Sequence, residues 1–379
     1  MSTMNNRNEI KKILGLLCFL ILSSILFADD VYDVGGLTYE VIYEDETTVQ
    51  VANPTAAHSV IFPFPSCEDY LNKSYLAVPS AITIGEQKYA VTKIGNSAFC
   101  GCASVKSIIL PKTISTVGYS AFESCLALQS IVLPSSVVEI GGAAFYRCYN
   151  LSSVVIPSGV NIIDDQLFAC CTSIHSIGVQ KGASVRLHDK IEKINVLAFD
   201  SCTSLTHVDI PNSVKIIDNL AFNNCTSLSQ IYIPKSVTFM GYGVFSGCAA
   251  LKFIYLNSSI KAIQASTFED CTSLTTINSF LGVSVNLPAQ IHYIGEKAFC
   301  NCSSIKSIKL PNNIVAVDRH AFKDCTALKY IVIPVAEVKF GADVLEGCTS
   351  LEAVYIPYGT REYYLKNGLA NYEEYLVEF

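Results

Sequence analysis

The sequence predicts a solenoid: stacked coils with one short parallel β-strand per coil, turns and short helical or 3-10 segments on the other side, and a β-rich N-terminal cap. Three observations predict it. A phenylalanine returns every 23 residues at Phe99, Phe122, Phe145 and Phe168, then at Phe199, Phe222, Phe245 and Phe268, then at Phe299 and Phe322. A cysteine follows each of them three residues later. Between the cysteine and the next phenylalanine stands an I-x-I pair closed by proline, as in Ile131, Leu133 and Pro134 or Ile231, Ile233 and Pro234. Period-two alternation over so few residues marks a short strand with one buried face, and proline ends it because it has no amide to donate to the next ladder bond.

The elements follow in order along the chain. Residues 1–28 carry Arg7, Lys11 and Lys12, an apolar run over 13–27, then Ala28 before Asp29 and Asp30, the pattern of a secretory signal peptide. The run falls short of the ~20 residues that span a bilayer, and Leu17 before Cys18 fills a position where a lipoprotein signal has a small residue. No later stretch is apolar enough to span, so the mature chain is expected to have no membrane span and to be secreted or held at the cell surface. Residues 29–93 are expected to form the N-terminal β cap, with a hairpin over 36–43 and 47–52 around Glu44, Asp45 and Glu46, and with 76–79 and 89–92 covering the first coil. Eleven repeats fill residues 94–357, a rod or shallow arc on the order of 50 Å long at the usual strand spacing. Four residues before each phenylalanine stands Gly, Asn or Asp in ten of eleven coils, Gly118, Asp164 and Asn195 among them. Such residues tolerate a left-handed backbone or close a turn locally, so this position is expected to be the corner of the coil.

The period fails twice, from Phe168 to Phe199 and from Phe268 to Phe299, by eight residues each time. Both insertions, near 180–187 and 280–287, carry the same pattern: Gly182, Ser184, Val185 and Leu187, then Gly282, Ser284, Val285 and Leu287. A block of four coils plus an insertion has been duplicated at a distance of 100 residues, and the insertions are expected to project as bulges from one edge. After Leu345 takes the place of phenylalanine, residues 358–379 abandon the period and are expected to cap the last coil.

Of sixteen cysteines, eleven hold one place in successive coils, from Cys102 and Cys125 to Cys325 and Cys348. Their side chains run parallel at a spacing of ~4.8 Å, whereas a disulfide needs converging Cβ atoms ~3.5–4.5 Å apart, so they are expected to be buried free thiols. The pairing of Cys67, Cys100, Cys170 and Cys300 is left open, and fifteen mature cysteines cannot all pair internally. Cys100 with Cys102, Cys300 with Cys302, and Cys170 and Cys171 with His175 lack the paired C-x-x-C spacing of a zinc site, so no metal or other cofactor is expected. Six scattered histidines, a corner role for Asp164, Asp218 and Asp318, and the absence of a phosphate loop, a G-x-S-x-G elbow or H-E-x-x-H leave no catalytic residues and no expectation of an enzyme. Without residues 1–28 the chain holds 23 basic and 32 acidic residues, which repels phosphate backbones and argues against nucleic acid as a partner.

The residue between the two buried strand positions faces outward, and there aliphatic and aromatic residues dominate: Ile109, Val132, Val155, Tyr232, Tyr255, Val332 and Tyr355, with Phe253 and Tyr330 beside them. Strand propensity alone favours such residues, yet an exposed apolar stripe with aromatic anchors also marks a contact surface. The candidate protein-binding residues are therefore Tyr232, Phe253, Tyr255, Tyr330, Tyr355, Val132, Val155 and Val332.

The pattern I-G-x-x-A-F-x-x-C-x-S-L-x-x-I-x-I-P, seen over residues 140–157, 217–234 and 317–334, resembles the 23-residue leucine-rich repeat of the BspA-like family. The sequence departs from it at the two insertions, at His188 and Asn257 in place of proline, and in lacking a recognisable C-terminal anchoring domain. The resemblance implies a leucine-rich-repeat solenoid on a secreted or surface protein, without catalytic residues. It also implies an adhesin or recognition module attached to host extracellular matrix, cell-surface proteins or other microbes. The alternative is a non-catalytic structural or scaffolding component of the cell envelope.

Overall fold

A computed structural model describes residues 31–34, 37–42, 48–51, 74–278 and 285–379. The coils stack as the period requires, and front strands of neighbouring coils pair in parallel except at the insertions and at one break. Ser107, Ile108 and Ile109 lie opposite Ser130, Ile131 and Val132, with Ile108 and Ile131 buried and Val132 outward. One front sheet runs from Tyr75–Ala77 to His207–Val208, and a second runs from Gln230–Tyr232 to Leu376–Glu378. Each coil also carries a second, two-residue parallel strand beyond the proline, such as Thr116–Val117 on Glu139–Ile140. Two residues are too few to register as alternation in a sequence. The remaining side of the coils consists of turns.

The phenylalanines form one column. Neighbouring rings from Phe99 to Phe322 lie 5.3 to 6.0 Å apart and nearly parallel, and every ring is fully buried. The cysteine column runs beside it and does more than fill space. Each thiol from Cys125 onward donates to the carbonyl of the phenylalanine in the preceding coil, Cys125 to Phe99 at 3.1 Å and Cys302 to Phe268 at 3.0 Å. Ten of the eleven ladder cysteines are free thiols. Cys102 departs from the expectation and is disulfide-bonded. It opens the ladder, and the chain before it contributes the first front strand, Tyr75–Ala77, parallel to Ser107–Ile109.

The corners differ from the expectation. Left-handed residues stand two before and two after each phenylalanine, for example Ser120 (φ 52°) and Ser124 (φ 57°) around Phe122, and not four before it. The cause is an alternation of hydrogen bonds. Ser120, Phe122 and Ser124 donate to Gly142, Ala144 and Tyr146 of the next coil, while Glu123 and Cys125 close local turns on Ser120 and Phe122. Amides that alternate between outward and local partners require alternating backbone handedness. The glycines four residues before serve close approach instead, since a Cβ on Gly118 would lie 2.7 Å from the amide nitrogen of Asn96. Asp164, Asp218 and Asp318 at the same place do close turns locally, each accepting from the following amide at 2.8 to 2.9 Å. Where proline is missing, His188 donates to the Pro157 carbonyl at 2.9 Å and Asn257 to that of Pro234 at 2.6 Å, tying the coil to the one before.

In place of the expected bulges, among the described residues each insertion adds a strand to the front sheet, Val185–Arg186 and Val285–Asn286. Val185–Arg186 lies between Ser153–Val155 and Ser176–Gly178, so the chain steps forward and then fills the gap it left. In the second block the order is sequential, Phe253–Tyr255, Thr276–Ile277, Val285–Asn286 and Ser307–Lys309, with residues 279–284 outside the described residues. The duplication also shows in the second strand row. That row breaks before Ile162–Ile163 and again, 100 residues later, before Ala262–Ile263.

At the N-terminal end Leu37–Ile42 and Thr48–Val51 pair antiparallel, Val31–Val34 adds a strand that the sequence pattern does not reveal, and Thr48–Val51 joins Gln87–Ile94 of the first coil. At the other end Leu376–Glu378 extends the front sheet on Ala353–Ile356, and Tyr364, fully buried, donates its hydroxyl to the Val335 carbonyl. Residues 1–28, expected as a signal peptide, and Cys67 lie outside the described residues.

Candidate functional site

The front face presents three apolar groups and not one stripe. Ile109, Val132 and Val155 form the first, with Val132 78% exposed. The apolar row is then interrupted by Arg186 on the extra strand, by Gly178 and by Asp209. Tyr232, Tyr255 and Phe253 form the second group. Tyr232 and Tyr255 stack at 4.6 Å and 6°, so one face of Tyr232 is covered by Tyr255, and the ring as a whole stays half exposed. After Asn286 and Lys309 comes the third, Tyr330, Val332 and Tyr355, with Phe379 edge-on to Tyr355 at 6.4 Å.

The second group borders a break in the front sheet. Between His207–Val208 and Gln230–Tyr232 the ladder shrinks to the single bridge Asp209 to Tyr232. The strands part there and leave an open depression of about 220 Å³ lined by His207, Val208, Gln230, Ile231, Tyr232 and Phe253. It combines an aromatic wall with exposed polar tips from His207 and Gln230, a surface suited to a side chain with an apolar body and a polar end. In the third group Tyr330 is tethered, its hydroxyl donating to Glu352, which also pairs with Lys329 at 2.6 Å. Lys329 first and Tyr330 second hold the Glu352 carboxyl below its ordinary range.

Two further depressions occupy equivalent places in the duplicated blocks. One, of about 400 Å³, is lined by Val179, Asp189, Asp209, Ile210, Pro211, Asn212 and Ser213. The other, of about 200 Å³, is lined by Asn286, Leu287, Ala289, Lys309, Leu310, Pro311 and Asn312. The pairs Pro211 with Pro311 and Asn212 with Asn312 repeat, while Asp189 becomes Ala289 and Asp209 becomes Lys309. The two lining charges are thus opposite.

Thiol chemistry is held down across the coils. Burial first, and Glu123 second, push Cys100 up to about 11, and burial followed by Glu269 does the same for Cys300. Such thiols are poor nucleophiles at neutral pH. The imidazole of His175 is structural, since its Nδ1 lies 2.8 Å from the buried Ser184 hydroxyl and ties the first insertion to its coil. Among the described residues no group of three or more His, Cys, Asp or Glu could hold a metal ion. No described helix is long and apolar enough to cross a membrane.

Of the candidate residues, the structure brings together Tyr232, Phe253 and Tyr255, brings together Tyr330, Val332 and Tyr355, and places Val132 and Val155 apart from both. Sequence reasoning passed over His207, Gln230, Asp209 and Lys309. The signal for the last two was present in the comparison of positions 100 residues apart.

The family profile described as BspA type leucine rich repeat region, in six copies, matches residues 80–184, 181–284 and 279–367. A leucine-rich repeat protein from Bacteroides ovatus ATCC 8483 is similar in structure, with 24% identity, a TM-score of 0.54, and 88% of this chain and 96% of that chain covered. A leucine rich cell surface protein from Faecalibacterium prausnitzii A2-165 is similar at 22% identity and a TM-score of 0.54, with 92% and 99% covered. No curated protein matches.

Proposed function

The chain belongs to the BspA type leucine-rich repeat family, and from that premise we propose that it is an exported recognition module whose front strand face captures proteins on host or microbial surfaces, as an adhesin does. The observation that carries this reading is the group of Tyr232, Tyr255 and Phe253 beside the depression at His207. A solvated sheet face has no internal need for stacked tyrosines, and aromatic residues are frequent anchors at interfaces. Tyr355 and Tyr330 give a second anchoring point on the same face, with Val132, Val155 and Val332 as flanking apolar contacts. The pattern of residues 1–28 supports export, and the cell-surface protein of similar fold fits the same compartment.

The experiment is capture from host matrix and cell-surface extracts by the purified mature chain. Retention of a protein that the chain with Tyr232→Ala, Tyr255→Ala and Tyr355→Ala fails to retain supports the reading. Retention of nothing favours the rival, a non-catalytic scaffold of the cell envelope.

A further inference from the structure

The outward column of the front sheet reads, in strand order, Arg186, Gly178, Asp209, Tyr232, Tyr255, Asn278, Asn286, Lys309, Val332, Tyr355. The column is complementary to its own reverse. A two-fold axis parallel to the strands, passing between Tyr255 and Asn278, lays the face of one copy on that of another. In that register Asp209 meets Lys309 and Arg186 meets Tyr355, and by symmetry each contact occurs twice. Gly178 lies beneath the exposed Gln180 side chain, which meets Val332. A shift of one strand in either direction breaks both charged contacts, placing Asp209 opposite Asn286 or Val332.

From this we infer that the occupant of the front face includes a second copy of this chain, in an antiparallel, face-to-face dimer. The inference rests on the strand face being the contact surface of the protein. Charge complementarity argues for self-association, since Asp209 and Lys309 are equivalent residues of the duplicated blocks with opposite sign, and neither has an ion pair among the described residues. A foreign partner would need opposite charges at the same separation by coincidence. For a second copy the separation matches of necessity. Lys309 and Arg186 are exposed, Asp209 is half-buried, and beside the axis the stacked Tyr232 and Tyr255 of one copy face Asn286 and Asn278 of the other.

The size of the face sets the strength. Ten to twelve strands of three residues give about 500–600 Å² per copy, or roughly 1,000–1,200 Å² in total, at the low end for a specific interface. Association is therefore reversible and concentration-dependent, and a dimer covers the tyrosines that a foreign partner would need. Self-association then sets how much of the face is available.

Sedimentation velocity on the purified mature chain tests this with two single variants. Wild type is expected to dimerise reversibly. Asp209→Lys places like charges at both contacts, as does Lys309→Asp, and each alone is expected to weaken association at least about tenfold. Mixing the two variants restores opposite charges at both contacts and is expected to return wild-type association as a heterodimer. A monomeric wild type, single variants that associate as wild type does, or a mixture that stays monomeric would each overturn the inference. Its failure is separable from that of the proposed function: a monomer that still captures a surface protein through its tyrosines refutes only the dimer, and a dimer that captures nothing refutes only the adhesive role.

Discussion

The two blocks related by 100 residues share an insertion pattern, yet they thread it differently. In the first, Val185–Arg186 slips behind Ser176–Gly178; in the second, Thr276–Ile277 and Val285–Asn286 follow in order. The residue that separates them is Gly178 against Asn278. Gly178 sits where a Cβ would lie 2.9 Å from that of Asp209, so only glycine lets Ser176–Gly178 pack directly on His207–Val208. Asn278 turns left-handed (φ 54°), and its Oδ1 accepts from the Leu256 amide at 2.7 Å, which keeps Thr276–Ile277 beside Phe253–Tyr255. The front sheet then breaks after Asp209 in the first block and stays continuous after Lys309 in the second. A repeated pattern thus fixes the coil, while a single backbone-demanding residue fixes the order of strands within it.

The largest expected effect is common to both blocks. Burial pushes Cys248 and Cys348 up to about 12 from 9.0, and the other ladder thiols also rise. Below 9 both folded and unfolded chains keep these protons, so stability is flat there. Above 9 the unfolded chain ionises first, and stability falls until the folded thiols ionise in turn. At pH 10 each thiol removes on the order of 1 kcal/mol, so ten together remove on the order of 10 kcal/mol. A urea midpoint that collapses between pH 9 and 10 for the reduced protein is expected; an unchanged midpoint would contradict the buried ladder.

Next in size, Phe222→Ala and Phe322→Ala should each cost ~3–5 kcal/mol by opening a cavity in the ring column. Equal losses in urea unfolding are expected because the column ignores the difference between blocks. Gly178→Asn, which copies the second block into the first, should cost ~1–3 kcal/mol through the crowding at Asp209. The reverse, Asn278→Gly, relieves a left-handed residue while losing one hydrogen bond, and its midpoint should stay within about 1 kcal/mol of wild type. If the two exchanges prove equally damaging, Gly178 and Asn278 are not what separates the blocks.

The coil was legible because its determinants recur: eleven cysteines, nine prolines and ten phenylalanines each restate one position. The left-handed positions were not, because they are filled by Ser120, Arg147, Leu197 and Lys297 alike, held by hydrogen bonds between coils and by no residue preference. The swapped strand order was hidden for the same reason, since it depends on what lies one coil away from Gly178. The aromatic face could be read as a row, and its division into three groups comes from Gly178, Asp209 and Lys309 on the repeat strands together with Arg186 and Asn286 on the strands that the insertions add. The cysteine column was read as apolar filling, and its bond to the phenylalanine carbonyl needs a neighbour 26 residues earlier that no local pattern reveals.

The strand face and the turn side offer the most direct trial of the account. Tyr232, Tyr255 and Tyr355 lie on the first, and Tyr119, Tyr149 and Tyr242, all exposed, lie on the second. Capture of surface proteins by two triple alanine variants, one per side, with folding checked by circular dichroism, separates them. Loss of capture in the strand-face variant alone is the predicted result; equal capture by both variants, or loss confined to the turn side, would contradict the placement of function on the strands.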